Sequence, residues 1–405
     1  MHKKYDDKSV KRGLALLRAG WFLHNFLLIL PVIVLVYTQK GITVGDFFLI
    51  QGIFRLAAFL FEIPSGYMSD CFSRKRVMIA GSLFHILGFV TIAVSYGFWT
   101  IVLGESLLGI ASALFSGTLE AYTYDLLKRN KTQKEFLKEF GNITTFASAA
   151  TFIAAILGGI AFVQLGTNGL LWLEVAIATT GIFFFLFLPE LSEVRRIVKH
   201  KDAFTDAVSI TITTMKNPKL RNLILFPSLF GSFTIVLLWI LQPIMENANV
   251  PVSLFGFYFG INQLSVVLGA KYAYKVCEKF GEIATSVMTI AVLVLGIGMG
   301  AAAIHSGNMA IVYVACGILA FSSSIRVLNN LQYNTLIHHS IRSTERGTVL
   351  STRAMTATLC GAIFLAAAKF LIDYLSITAT LIVLGIMLIP LAYSLRLVSQ
   401  HIKRK

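Results

Sequence analysis

The sequence predicts an all-α membrane protein of twelve transmembrane helices in two pseudo-symmetric six-helix bundles. Three observations point there. Apolar runs of spanning length recur from end to end, charged residues are scarce, and the bases crowd into alternate connecting segments. Apolar residues make up 56% of the 405 and charged residues only 14%, where a soluble domain carries roughly 25% charged residues. A spanning helix needs about 20 mostly apolar residues.

In the first half the spanning segments are 14–38, 47–69, 77–96, 98–127, 139–164 and 169–188. In the second they are 221–245, 253–276, 283–304, 308–338, 347–372 and 375–396. The first follows the polar stretch MHKKYDDKSVKR and is too long for a cleavable leader. The second runs into Pro64 and Gly66, and the third starts directly after Arg74, Lys75 and Arg76. Between the sixth and seventh lies a polar stretch with Arg195, Arg196, Lys199, Lys201, Lys216 and Lys219. The domain reading is an N-terminal bundle over 1–188, a cytoplasmic linker over 189–220 and a C-terminal bundle over 221–405. The halves show weak internal symmetry: the second and eighth helices enter similar loops about 206 residues apart.

The net charge of +15 invites a nucleic-acid partner, but its placement argues against one. Of 35 Lys and Arg, 29 fall at the two termini and in the loops after helices 2, 4, 6, 8 and 10. Only Lys40 sits in a loop on the other side. Bases gather on the cytoplasmic side of membrane proteins, so both termini are expected in the cytoplasm of a multi-pass inner-membrane protein. The remaining five, Arg18, Arg55, Arg326, Arg353 and Lys369, lie within helices. The cysteines, at 71, 277, 316 and 360, have no metal-ligand spacing. No disulfide, metal site or cofactor is expected.

The segment FEIPSGYMSDCFSRKRV (61–77) resembles the loop after the second helix of the major facilitator superfamily, G-x-x-x-D-R-x-G-R-R/K. Gly66, Asp70, Arg74 and Lys75 match; Cys71 replaces an Arg and Ser73 a Gly. SGTLEAYTYDLLK (116–128) and NNLQYNTLIHHSIRSTERGTVLS (329–351) resemble stretches of uncharacterised bacterial twelve-helix members. Two departures concern proton-coupled drug antiporters. The helix 4 Arg of R-x-x-Q-G is Glu105 here, and G-P-x-x-G-G keeps only Gly158 and Gly159. The resemblance covers essentially the whole chain. It implies the superfamily fold, with helices 1, 4, 7 and 10 around a cavity near the bilayer midplane. It also implies a cytoplasmic gate of Gly66, Asp70, Arg74, Lys75 and Asp125, in which Asp125 latches Arg74.

Charges within a bilayer are costly and need partners or a wet cavity. Helix 1 offers Arg18, Trp21, His24 and Asn25, and helix 2 offers Arg55 and Glu62, seven apart on one face. Helix 4 carries a stripe of Glu105, Ser112, Ser116 and Glu120. Helix 7 offers Ser228, Ser232, Trp239 and Gln242, and helix 8 offers Tyr258, Asn262 and Gln263. On helix 10, Arg326, Asn329, Asn330, Tyr333 and Asn334 follow i, i+3, i+4, i+7 and i+8. Helices 3, 9 and 12 are almost wholly apolar. The substrate-cavity candidates are Asn25, Arg55, Glu105, Ser112, Ser116, Gln242, Asn262, Gln263, Arg326, Asn329, Asn330 and Tyr333. Plainer roles stand beside these: hydrogen bonds between helices, an Arg55–Glu105 pair, a packed His24, a Glu120–Arg18 pair, and a Lys369 that snorkels.

The resemblance implies a secondary transporter of a small organic solute that works by alternating access. Proton coupling is expected through Glu120, with Glu62 and Glu105 as further candidates, and efflux is favoured over import. An importer or uniporter of a nutrient is the alternative; a transporter-like receptor or lipid scramblase is a third. The chain lacks G-x-x-x-x-G-K-[ST], H-E-x-x-H and a nucleophile elbow, so neither an enzyme nor an ATP-driven pump is expected. Expected partners are the solute, protons and the lipid bilayer. A monomer is expected.

Overall fold

A computed structural model describes residues 7–191, 212–341 and 346–403. Those residues are helical wherever they are regular, and no strand occurs among them. In chain order the helices are α1 (Asp7–His24), α2 (Ile33–Gln39), α3 (Val44–Cys71), α4 (Arg74–Ala93), α5 (Phe98–Phe115), α6 (Thr118–Arg129) and α7 (Phe136–Leu186). They continue as α8 (Pro218–Asn247), α9 (Val252–Phe280), α10 (Glu282–Ser306), α11 (Met309–Ser340), α12 (Arg346–Tyr374) and α13 (Ile377–Lys403). Among the described residues nine helices are long and apolar enough to cross a membrane, and 30–39 and 377–391 form shorter apolar ones.

One of the nine is too long for a single crossing. Gly166 interrupts α7 with φ 66°, a conformation that Gly reaches without the steric penalty of a Cβ. The two legs fold back on each other. A Cβ on Gly158 would meet the Leu28 carbonyl, and the Glu174 carboxylate accepts from the Ile29 amide at 2.7 Å. A straight helix would hold residues 158 and 174 about 24 Å apart, yet both reach neighbouring residues of one segment. The legs correspond to the fifth and sixth predicted spans. The other long helices, the divided first segment and α13 fall on the remaining predicted spans.

Two expected continuous helices are broken. The first stops at His24 and resumes as a 3₁₀ turn at Leu30–Val32 followed by α2. The fourth is divided between α5 and α6 at Ser116 and Gly117. Polar residues fall at both places, His24 and Asn25 at the first and Ser116, Thr118 and Glu120 at the second, and Pro31 follows the first break. The breaks arise from tertiary contacts and, at the second, from Gly117 at φ 69°.

Residue contacts divide the chain into two compact units: Met1–Ile42 with Ile53–Ile197, and Thr43–Gly52 with Val198–Lys405. The first unit is cored by Leu17, Met78, Phe115, Tyr122, Ile143 and Phe185. In the second, Phe230, Leu237, Ile244, Phe255 and Leu319 are buried, together with Phe47 and Phe48 from the start of α3. Many large apolar side chains point outward instead, among them Leu60, Leu87, Val163, Phe183, Phe257 and Ile389. Exposed apolar side chains in this number are what lipid-facing helices present.

Candidate functional site

In the first unit, the break between α5 and α6 places polar groups inside an apolar span. The Ser116 amide still closes the last turn of α5 on the Ser112 carbonyl at 3.0 Å. Gly117 then turns the chain, and the Ala121 amide reaches back to its carbonyl at 2.9 Å. Ser116 Oγ is freed from its own helix and donates to Glu62 Oε1 of α3 at 3.0 Å. Glu62 is half-buried, while Ser112, Ser116 and Glu120 are exposed. The backbone at Gly66, one turn beyond Glu62, is also open, since a Cβ there would meet nothing within 4 Å.

Glu105 lies elsewhere. It is buried and accepts a hydrogen bond from Tyr37 of α2 at 2.5 Å. The expected stripe of Glu105, Ser112, Ser116 and Glu120 is therefore divided, with its first member packed inside the unit and the others exposed. Arg55 is half-buried. Arg18 pairs with Glu139 at the start of α7, and not with Glu120.

The break in the first helix is held by three contacts. Asn25, half-buried, donates to the Trp21 carbonyl at 2.8 Å, which finishes α1. Thr151 Oγ1 donates to the Asn25 carbonyl at 3.1 Å. Glu174 takes the Ile29 amide, one of the donors a helix start leaves unpaired. Gly158 lets the chain pass, because any Cβ would strike the Leu28 carbonyl and the Pro31 ring. Beside the break, the His24 ring meets the His85 ring edge-on at 4.2 Å and stacks on Trp21 at 4.8 Å. Ser82 and Phe185 complete a small cavity at the two histidines. Glu174 and His85 were absent from the sequence-derived candidates, although each is a lone ionisable residue in an apolar segment, which is itself a signal.

At the other end of α3, Arg74 forms an ion pair with Asp125 of α6 and donates to the Ala121 carbonyl at 3.2 Å. Lys75 and Arg76 stand 3.8 and 3.9 Å from Glu190. The Asp70 side chain lies outside the described residues. In the loop after α2, Lys40 donates to the Ala93 and Ser95 carbonyls at 3.0 and 3.2 Å, and burial holds its ammonium pKa below the usual lysine range.

In the second unit, polar groups converge from α10, α11 and α12. Arg353 of α12 donates to the Asn334 side chain and, at 2.7 Å, to that of Asn330. Asn329, fully buried, donates to Thr289 of α10 at 3.0 Å, and its own amide oxygen is sealed without a partner. Tyr333 is buried against Ser286, 3.5 Å away. Arg326 is half-buried one turn before Asn330. Asn262 of α9 is buried and donates to Ser323 at 2.6 Å and to the Ala320 carbonyl at 3.0 Å. Gln263 is half-buried and Gln242 fully buried. Ser228 and Ser232 bond back to carbonyls of their own helix, a common way to satisfy hydroxyls within a helix. Lys369, five residues from the end of α12, donates to Asp46 at 2.5 Å and Asp373 at 2.8 Å. Among the described residues no group of three or more metal-ligand side chains converges.

A sequence model of the family described as the Major Facilitator Superfamily matches residues 13–364. Inner membrane transport protein YajR of Escherichia coli (strain K12) is 33% identical over 131 residues, covering 32% of this chain and 28% of that protein. The uncharacterized transporter BU466 of Buchnera aphidicola is 24% identical over 160 residues, 39% of this chain and 40% of that protein. The matches thus span well under two thirds of those relatives. The crystal structure of nucleoside transporter NupG superposes with a TM-score of 0.78 at 12% identity, over 96% of this chain and 98% of that one. At that identity the likeness is one of fold.

Proposed function

The chain belongs to the Major Facilitator Superfamily, and from that membership we propose that it is a secondary transporter of a small organic solute. It works by alternating access, is driven by protons and exports its solute across the inner membrane, with both termini in the cytoplasm. The observation that carries this reading is the Glu62–Ser116 pair at the break between α5 and α6. A carboxylate inside an apolar span is costly and is kept where water or solute can reach it. A broken helix supplies the irregular backbone that transporters place at their sites.

Glu62 is the proton carrier in this proposal. It is half-buried, so its proton can exchange, and Ser116 gives its charged form a hydrogen-bond donor. Glu120 is exposed on the same broken helix and is the second group on the proton path. Glu105, sealed against Tyr37, positions α2 and takes no part in proton exchange. The Arg74–Asp125 pair, with Gly66, Asp70 and Lys75, is the gate that steadies one end of the first unit between transport states.

The test is uptake into proteoliposomes with an imposed pH gradient, screened across drugs, sugars, nucleosides and organic anions. At least one solute should accumulate with the gradient and fail to do so when it is collapsed. No gradient-dependent movement of any solute above protein-free vesicles would sink the reading. Movement down a solute gradient alone would leave a uniporter.

A further inference from the structure

Two guanidiniums of the second unit's spanning helices, Arg326 and Arg353, have no carboxylate paired with them among the described residues. Arg326 lies 17 residues from the start of α11 at Met309 and 14 from its end at Ser340. At about 1.5 Å per residue that is roughly 20 Å or more from each end, well below headgroup level. Arg326 makes no hydrogen bond and no ion pair among the described residues, and it is only half-buried. Its nitrogens are not among the fully sealed polar atoms without partners, so part of the guanidinium remains accessible.

Arg353 of α12 binds further along the same face of α11. Its two terminal nitrogens are engaged by Asn330 and Asn334, which follow Arg326 by four and eight residues on one face of α11. The two asparagines are neutral. They hold Arg353 in place and leave its charge uncompensated. The acids the structure does show in this unit's membrane segments are engaged or distant in sequence. Asp46 and Asp373 bind Lys369, Glu246 sits in the last turn of α8, Glu278 in the last turn of α9, and Glu282 is the first residue of α10. Bases elsewhere find partners: Arg18 has Glu139 and Arg74 has Asp125. An unpaired cation deep in a membrane helix is tolerated where something else supplies the negative charge.

We propose that Arg326, with Arg353 fixed on the next two turns of the same helix face by Asn330 and Asn334, binds the oxyanion of a small organic anion, a carboxylate or phosphate. A guanidinium presents a planar fork of donors that matches either group with two parallel hydrogen bonds. The anion neutralises Arg326 and draws on the residual field of Arg353. Calling this ligand the transported solute rests on the transporter reading above; the binding itself does not.

The experiment uses the full chain in a neutral detergent and follows thermal unfolding with benzoate, inorganic phosphate and, as a neutral isostere, benzamide, at constant ionic strength. Benzoate or phosphate should raise the melting temperature saturably, and benzamide should not. Arg326→Gln should weaken that response at least about tenfold, one lost charge-assisted contact, and Arg326→Lys should fall between. Without ligand, Arg326→Gln should unfold at or above the wild-type temperature, because it removes an unpaired charge. The proposal is overturned if Arg326→Gln melts well below wild type unliganded, if neither oxyanion shifts the wild type, or if benzamide acts equally. Stabilisation by phosphatidylglycerol alone would assign the site to a lipid headgroup and overturn it as well. Intact anion binding with no transport in vesicles would sink the transporter reading and leave this one standing.

Discussion

Ser116 donates its hydroxyl to the Glu62 carboxylate at 3.0 Å, at the point where the helix that should carry it is interrupted by Gly117. The break and the pair are one feature. A hydroxyl in a continuous helix tends to bond back to a carbonyl four residues earlier, as Ser106, Thr123 and Ser228 do. Ser116 is released from that habit and reaches another helix.

Glu62→Gln keeps the size and the hydrogen bond with Ser116 but removes titration. Gradient-driven accumulation in proteoliposomes should drop at least tenfold, while solute exchange at equal pH survives. Wild-type accumulation in this variant would exclude Glu62 from coupling and leave Glu120 to be tested the same way.

Gly117→Ala forces a Cβ onto a backbone at φ 69°, although no atom lies within 4 Å of where it would sit. The cost is conformational, about 1–2 kcal/mol, and thermal unfolding should register it. Gly231→Ala is the control: it lies within α8 with equally open space, and should be neutral or stabilising by about 0.5–1 kcal/mol. Equal behaviour of the two would mean that the break at Gly117 is not maintained.

Glu174→Ala should lower stability by about 1–3 kcal/mol, since it leaves the buried Ile29 amide without its acceptor. Glu174→Gln retains an oxygen acceptor and should cost less. If the two variants unfold alike, the carboxylate does not hold the start of the 30–39 helix.

Asp125→Asn should change stability little, because an ion pair at a half-exposed site contributes about 1 kcal/mol or less. Transport should suffer more than stability if the pair acts as a gate. Swapping the charges, Arg74→Asp with Asp125→Arg, should recover part of the rate in a double-mutant cycle. Additive losses would reduce the pair to a local contact.

For topology, engineered cysteines at Thr167 and Asn249 should react with an impermeant thiol reagent added outside intact cells, and one at Lys199 should not. The opposite pattern would invert the orientation drawn from the basic loops.

The helices were legible because apolar length and charge placement are properties of the chain alone. Asp125 as the partner of Arg74 was legible too, from the resemblance and from the loop after helix 2 and the end of helix 4 falling at one membrane face. The breaks were less so. Pro31 lacks the amide that would bond residue 27 and so marks a local interruption, but Gly158 and Glu174, more than a hundred residues on, shape the path through 25–29. The same distance hides Glu139 as the partner of Arg18. His85 sits in a segment that reads as lipid-facing, yet it is buried against His24. Hydropathy cannot say which side of such a helix turns inward.

The position of residues 43–52 bears on how the protein is made. Phe47 and Phe48 are fully buried with residues of the later unit, and Asp46 bonds Lys369, 323 positions downstream. At about 5–20 residues per second, synthesis needs roughly 15–65 s to deliver that partner. During this interval the first turns of α3 lack the partners that Asp46, Phe47 and Phe48 meet in the finished fold. The first turns of α3 therefore reach their native packing only after the penultimate helix has been made.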